Sequence, residues 1–181
     1  MKKIYLILVL ISFLFNSCSS LKRPFFNRSS MEIKEGYLSL TNINKNLEKQ
    51  MPLVKKSGSN EIKIVSATTF ASQDGKSLIT EVEFIFTSFQ IPEGLPAVAR
   101  VKSEIEYDPK TKEFRLAKIS EPEIKFLKES LLEYVTPKQR KFISETLILQ
   151  LYTLVLHKSK RELKPMKSFL VKEGKIKIIF K

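Results

Sequence analysis

The sequence predicts an α+β fold in which an antiparallel sheet with one dry face packs against a helix that is apolar nearly all round. Three observations carry this. Residues 97–107, AVARVKSEIEY, alternate strictly: Ala97, Ala99, Val101, Ile105 and Tyr107 face one way, and Arg100, Lys102, Glu104 and Glu106 the other. Neighbouring strand-like runs are joined by Asp74-Gly75 and Asp108-Pro109-Lys110, both turn signals. A capped run from Pro137 is helical and carries Leu147, Ile148, Leu149, Leu151 and Leu154 to Leu156 with little polar face.

Residues 1–17 read as an address. Lys2 and Lys3 precede an apolar run from Ile4 to Phe15, too short to span a bilayer but suited to a signal peptide. The run ends at Ser17-Cys18, which resembles a bacterial lipoprotein signal; Phe15 and Asn16 depart from the usual residues there. The resemblance implies acylation of Cys18, the chain's single cysteine, by diacylglycerol and a fatty acid such as palmitate. An ordinary secreted protein with an incidental cysteine is the alternative. By resemblance to Gram-negative sorting rules, in which Asp after the cysteine favours inner-membrane retention, Ser19 implies an outer-membrane lipoprotein facing the periplasm. Residues 18–36 are mostly polar and read as a lipidated tether; Phe25 and Phe26 beside Lys22, Arg23 and Arg28 would suit a bilayer surface. The domain is then 37–181.

The elements follow in order. A first helix is predicted over 41–51, with Thr41 as cap, Ile43, Leu47 and Met51 at four-residue spacing, and Pro52 as stop. Residues 61–71 alternate in part, with Ile62, Ile64 and Phe70 on one face. Residues 77–89 put Leu78, Val82, Phe84 and Phe86 on one face and Glu81 and Glu83 on the other. The segment 91–96, with two prolines and a glycine, reads as a loop. Residues 113–120 return as a strand, completing a meander. Residues 123–135 carry a weaker helical pattern through Ile124, Leu127, Leu131, Leu132 and Val135. Thr136-Pro137 starts the strong helix; Tyr152–Leu156 fits either helix or strand. Ile176, Ile178 and Phe180 alternate with lysines in a last strand.

Composition removes several function classes. One histidine, His157, one cysteine and two aspartates leave no multi-ligand metal site, and no phosphate loop or nucleophile elbow occurs. Neither an enzymatic activity nor a cofactor is expected. The Glu81/Glu83 and Glu104/Glu106 pairs lie on polar strand faces. The net charge is +13, and loss of Lys2 and Lys3 leaves it strongly basic. For an exported chain that charge points to anionic envelope polymers or lipid headgroups and away from nucleic acid.

The order of elements, with Tyr37-Leu38-Ser39-Leu40-Thr41 entering the first helix, Tyr152–Leu156 and the ending Val171–Phe180, resembles the YceB-like lipoproteins. The resemblance covers about residues 37–181. It implies a fold similar to tubular lipid-binding domains: a strongly curved antiparallel sheet wrapped around a long apolar helix, with a short N-terminal helix and a break near residue 150. It also implies a lipid or other apolar ligand in a groove between sheet and helix. Phe84, Phe86, Val101, Ile105, Phe142, Leu147, Ile148 and Leu151 are the candidates to line it, and the same residues would equally fill an ordinary core. The other reading is an envelope scaffold that uses its basic surface and holds no small ligand. A monomer is expected.

Overall fold

The computed structural model describes residues 35–172 and 174–181. The signal peptide, Cys18 and the tether as far as residue 34 lie outside the described residues. Ten strands, two α-helices and a 3-10 turn follow one another: β1 (Glu35–Ser39), α1 (Leu40–Glu48), β2 (Leu53–Ser57), β3 (Asn60–Ala71), β4 (Leu78–Ser88), β5 (Ile91–Asp108), β6 (Glu113–Ala117), β7 (Glu123–Phe126), the 3-10 turn Glu129–Tyr134, α2 (Pro137–Thr153), β8 (Val155–Lys158), β9 (Met166–Lys172) and β10 (Lys175–Phe180). The fold is mixed and mostly strand. Seven strands form a strongly curled antiparallel half-barrel: six run β2-β3-β4-β5-β6-β8, and β7 adds to β5. β1, β10 and β9 form a separate three-stranded sheet.

The dry face of the meander is where the alternation places it. Leu78, Val82, Phe84 and Phe86 of β4 and Ala97, Ala99, Val101, Ile105 and Tyr107 of β5 are all buried. Each large side chain so removed from water contributes about 1.5–3 kcal/mol. The 18-residue β5 is the spine: it pairs β4 over Ile91–Ser103, β7 over Ala97–Arg100 and β6 over Glu104–Asp108.

Several elements differ from the sequence reading. The segment 91–96 is the start of β5, with Leu95 opposite Phe86 and Pro96 opposite Ile85. Gly94 makes this possible: its φ is +82°, and a Cβ there would meet Ile85 Cγ2 at 2.6 Å. In β3, Val65 is an extra residue between the pairs Ile64–Phe84 and Ser66–Glu83. This bulge shifts the alternation, so Ala67 and Thr69 turn inward and Phe70 outward, where it is 48% exposed. Residues 123–135 are not a helix. Pro122 precedes them, Ile124 and Phe126 alternate as β7, and a short 3-10 turn follows. The first helix ends at Glu48, with Ser39 in place of Thr41 at its start; Met51 lies beyond it. β1, β2 and β9 were not expected as strands. Glu35 and Gly36, placed in the tether by sequence, pair Ile179 and Ile178. The last strand buries Ile178 and Phe180 as its alternation requires, but in the three-stranded sheet.

α2 starts as its sequence prescribes. Thr136 Oγ1 accepts from Gln139 N–H at 3.3 Å, and Thr136 N–H donates to Gln139 Oε1 at 2.9 Å, with Pro137 in the first turn. Its apolar character is one-sided: Ile143, Leu147 and Leu151 are buried, whereas Leu149 is 63% exposed. The apolar run 147–156 looks continuous because it spans two periodicities. The helix ends at Thr153, and Leu154 and Leu156 are buried at the start of β8. The break falls three residues beyond the expected position.

Candidate functional site

The predicted groove residues divide. Phe84, Phe86, Val101, Ile105, Leu147 and Leu151 are at most 2% exposed and belong to one packed core; Phe142 is half-buried against it. None of these seven lines the main surface depressions of the described residues. Ile148 does: with Ile124, Phe126 and Pro122 it lines a cleft of about 670 Å³ between β7 and α2. Arg140, Lys141, Glu121 and Glu145 also line that cleft, and the Arg140 guanidinium stands 6.0 Å from the Phe126 ring centre.

A larger depression lies elsewhere among the described residues, between α1 and β3, and follows from how that helix meets the sheet. Ile43 and Leu47 anchor one stripe of α1 in the core. Its contacts with strand edges are polar. β2 covers β3 only over Asn60–Ile64, so the far half of β3 has no neighbouring strand on that side. Asn44 takes the strand's place there: its Nδ2 donates to Thr69 O at 3.1 Å, and its Oδ1 accepts from Thr69 N–H at 2.8 Å. At the opposite border of the half-barrel, Gln50 does the same for β8, donating to Val155 O at 2.9 Å and accepting from Val155 N–H at 3.0 Å; Asn46 donates to Leu156 O at 3.0 Å. α1 and the turn that follows it therefore bridge the two open edges of the curl through amide side chains, satisfying backbone groups that would otherwise be orphaned.

Beside these bonds, between the helix and β3, lies a groove of about 870 Å³. Leu40, Met51, Pro52, Val65, Phe70 and Ala71 give it an apolar surface, with Val65 and Phe70 presented by the bulge. Thr41, Ser66 and Thr68 add hydroxyls; Lys45, Lys63 and Glu48 stand at its border. Neither lysine has a carboxylate within ion-pair distance among the described residues. The volume lies within the range of small-molecule sites, which are mostly apolar with a few polar fixing groups. Chemically the groove offers an apolar bed and unpaired cations, and nothing that would break a bond.

Sequence reasoning missed this site. Its signals were small: Val65 and Phe70 out of phase with the strand, the amides Asn44 and Asn46 on an otherwise amphipathic helix, and Gln50 in the turn just after it.

The perturbed titratable groups lie away from the groove and serve the turns. Asp74 accepts hydrogen bonds from Lys102, from the Lys76 N–H and from Ser77, which hold its carboxyl far below the usual range. Glu113 is lowered by Arg115 and Lys158, and Asp108 by the N–H of Lys110 and the Thr111 hydroxyl. Burial lowers His157, whose ring lies 6.0 Å from that of Phe114. Among the described residues no group of three or more His, Cys, Asp or Glu could hold a metal ion, and no helix is long and apolar enough to cross a membrane.

No protein-family profile matches this chain, and no curated protein sequence matches it significantly.

Proposed function

We propose that this chain is a YceB-like envelope lipoprotein, anchored through acylated Cys18 in the outer membrane and facing the periplasm. It binds a lipid or another apolar ligand in the groove between α1 and the sheet, and acts by binding without catalysis. The observation that carries the reading is the groove itself: about 870 Å³, largely apolar, and bordered by two lysines without carboxylate partners. Such a site suits a single amphiphile, with its chain along Val65 and Phe70 and an anionic head at Lys45 or Lys63. The finer architecture belongs to the same proposal. In it the curled sheet wraps α2 in the manner of tubular lipid-binding domains, supported by Ile143, Leu147 and Leu151 joining the sheet's core.

Mass spectrometry of organic extracts tests this on protein purified without its anchor. Near-stoichiometric lipid, lost in Phe70→Asp with the melting temperature kept, is the expected result. Repeated absence of any co-purifying lipid from the parent protein would overturn it.

A further inference from the structure

β7 is an edge strand. It pairs β5 over Ala97–Arg100, and among the described residues no strand pairs its other side. The register says which backbone groups that leaves. Leu127 N–H donates to Pro96 O at 2.9 Å, so Lys125 and Glu123, two and four residues back, also turn their N–H and C=O groups toward β5. Ile124 and Phe126 turn theirs the other way, and nothing among the described residues bonds to them. These groups border the cleft of about 670 Å³ between β7 and α2. Its far wall is the flank of α2 that carries Arg140, Ser144 and Ile148. Near the start of β7 the two walls are joined, where Ile119 N–H donates to Tyr152 Oη at 3.3 Å. The half-buried side chains of Ile124 and Phe126 share a face with Ala99 and Ala97 opposite them, and with Ile148 they give the cleft an apolar floor. Charge is uneven along it. Arg140 stands at the Phe126 end, 6.0 Å from that ring, and its Nε donates to Val135 O at 3.5 Å; among the described residues no carboxylate lies within ion-pair distance of it. Lys141 is paired with Glu145 at 3.8 Å, and Glu121 lies toward the other end.

We propose that this cleft takes an extended peptide segment of a partner protein as a strand added to β7. Apolar side chains of the segment lie over Ile124, Phe126 and Ile148, and an acidic residue meets Arg140. Alternate N–H and C=O groups at strand spacing are matched by the main chain of another strand, and an acyl chain leaves them unmet. A guanidinium without a carboxylate is matched by Asp or Glu in a charge-assisted bond. The free edge is short, so the added segment is short too. β7 of a second copy is flanked by its own β5 and α2, and a cleft walled by a helix admits a single extended chain more readily than a whole sheet. The inference is independent of the groove between α1 and β3.

The test is selection of phage-displayed random octapeptides on residues 19–181, which hold every residue of the described fold, followed by fluorescence polarisation with the enriched peptides. These should alternate apolar residues and carry Asp or Glu. N-methylation of the peptide at one set of alternate residues should weaken binding by about tenfold or more, and at the other set should not, because only one set faces β7. Arg140→Glu and Ile148→Glu should each weaken it comparably. Ile124→Pro should do the same, since it removes an edge N–H while the bonds of Glu123 and Lys125 to β5 remain. Val65→Ser/Phe70→Ser, in the other groove, should leave it unchanged. No enrichment beyond that on the Ile124→Pro chain would overturn the peptide site. Equal tolerance of N-methylation at both sets would overturn strand addition. Concentration-dependent dimerisation that Ile124→Pro abolishes would give the edge to a second copy and overturn the partner peptide.

Discussion

The two helices meet the same sheet in opposite ways. α2 presses Ile143, Leu147 and Leu151 into the concave core, where Phe84, Phe86, Val101 and Ile105 leave no open space. α1 buries Ile43 and Leu47 in that core, and it and the turn after it reach the strand edges with Asn44, Asn46 and Gln50. Interdigitating apolar side chains bring backbones close and exclude ligand. Amide side chains satisfy an edge at hydrogen-bond distance, and the groove lies beside those bonds. Among the described residues, the apolar run at the end of α2 is packed into the core, and the groove lies beside the more polar α1.

The largest effect expected is at the packed helix. Leu147→Ala should cost about 2–5 kcal/mol in urea unfolding, because the cavity it leaves is enclosed, and should leave binding of a fluorescent fatty acid unchanged. A small cost would mean that α2 faces ligand space after all. The amide bridge comes next. Asn44→Ala strands the Thr69 N–H and carbonyl, and Gln50→Ala those of Val155; each should cost about 1–3 kcal/mol, with loss of hydrogen-exchange protection at Thr69 and Val155 respectively. Protection kept in both variants would show that α1 is not what covers these edges. At the groove the balance should invert. Val65→Ser and Phe70→Ser change stability by no more than about 0.5 kcal/mol, yet should abolish fatty-acid binding, measured by displacement of the same probe. Full binding in both would remove the ligand from this groove.

The smallest effect is at β8, the strand that follows α2 and whose edge Asn46 and Gln50 cover. Burial lowers the His157 pKa, so protonation favours the unfolded chain. Its neutral form therefore supports stability above about pH 6.5, and that support is lost as pH falls from there toward the lowered folded value. Thermal melts at pH 7.5 and 5.5 should show a smaller pH difference in His157→Gln than in the parent chain.

Much of the fold was legible because one face of the meander is buried and one is wet. Alternation over 78–86 and 97–107, together with the turn residues between the runs, was enough to read strands, faces and hairpins. Thr136-Pro137 marked a helix start that the hydrogen bonds reproduce. What could not be read was set by neighbours. β1, β2 and β9 are short and partly exposed, and exist because a partner strand supplies their ladder bonds. Residues 91–96 look like a loop until β4 pairs with them. Val65 is an unremarkable strand residue whose role as a bulge depends on the register with β4, and with it the outward turn of Phe70. The predicted groove residues shared a dry face, but apolar periodicity cannot tell a lined space from a filled one. The groove at α1 depends on long-range amide-to-backbone bonds, Asn44 to Thr69 and Gln50 to Val155, that no local pattern encodes.

The chain contains no tryptophan, so Phe70→Trp places a single reporter in the α1–β3 groove. Its emission should be recorded while a long-chain fatty acid is added below its aggregation limit, with Leu149→Trp as a reporter on the exposed flank of α2. A saturable blue shift at position 70, and none at position 149, is the result that a ligand bed beside α1 requires. Unchanged emission at position 70, or equal shifts at both positions, would contradict it.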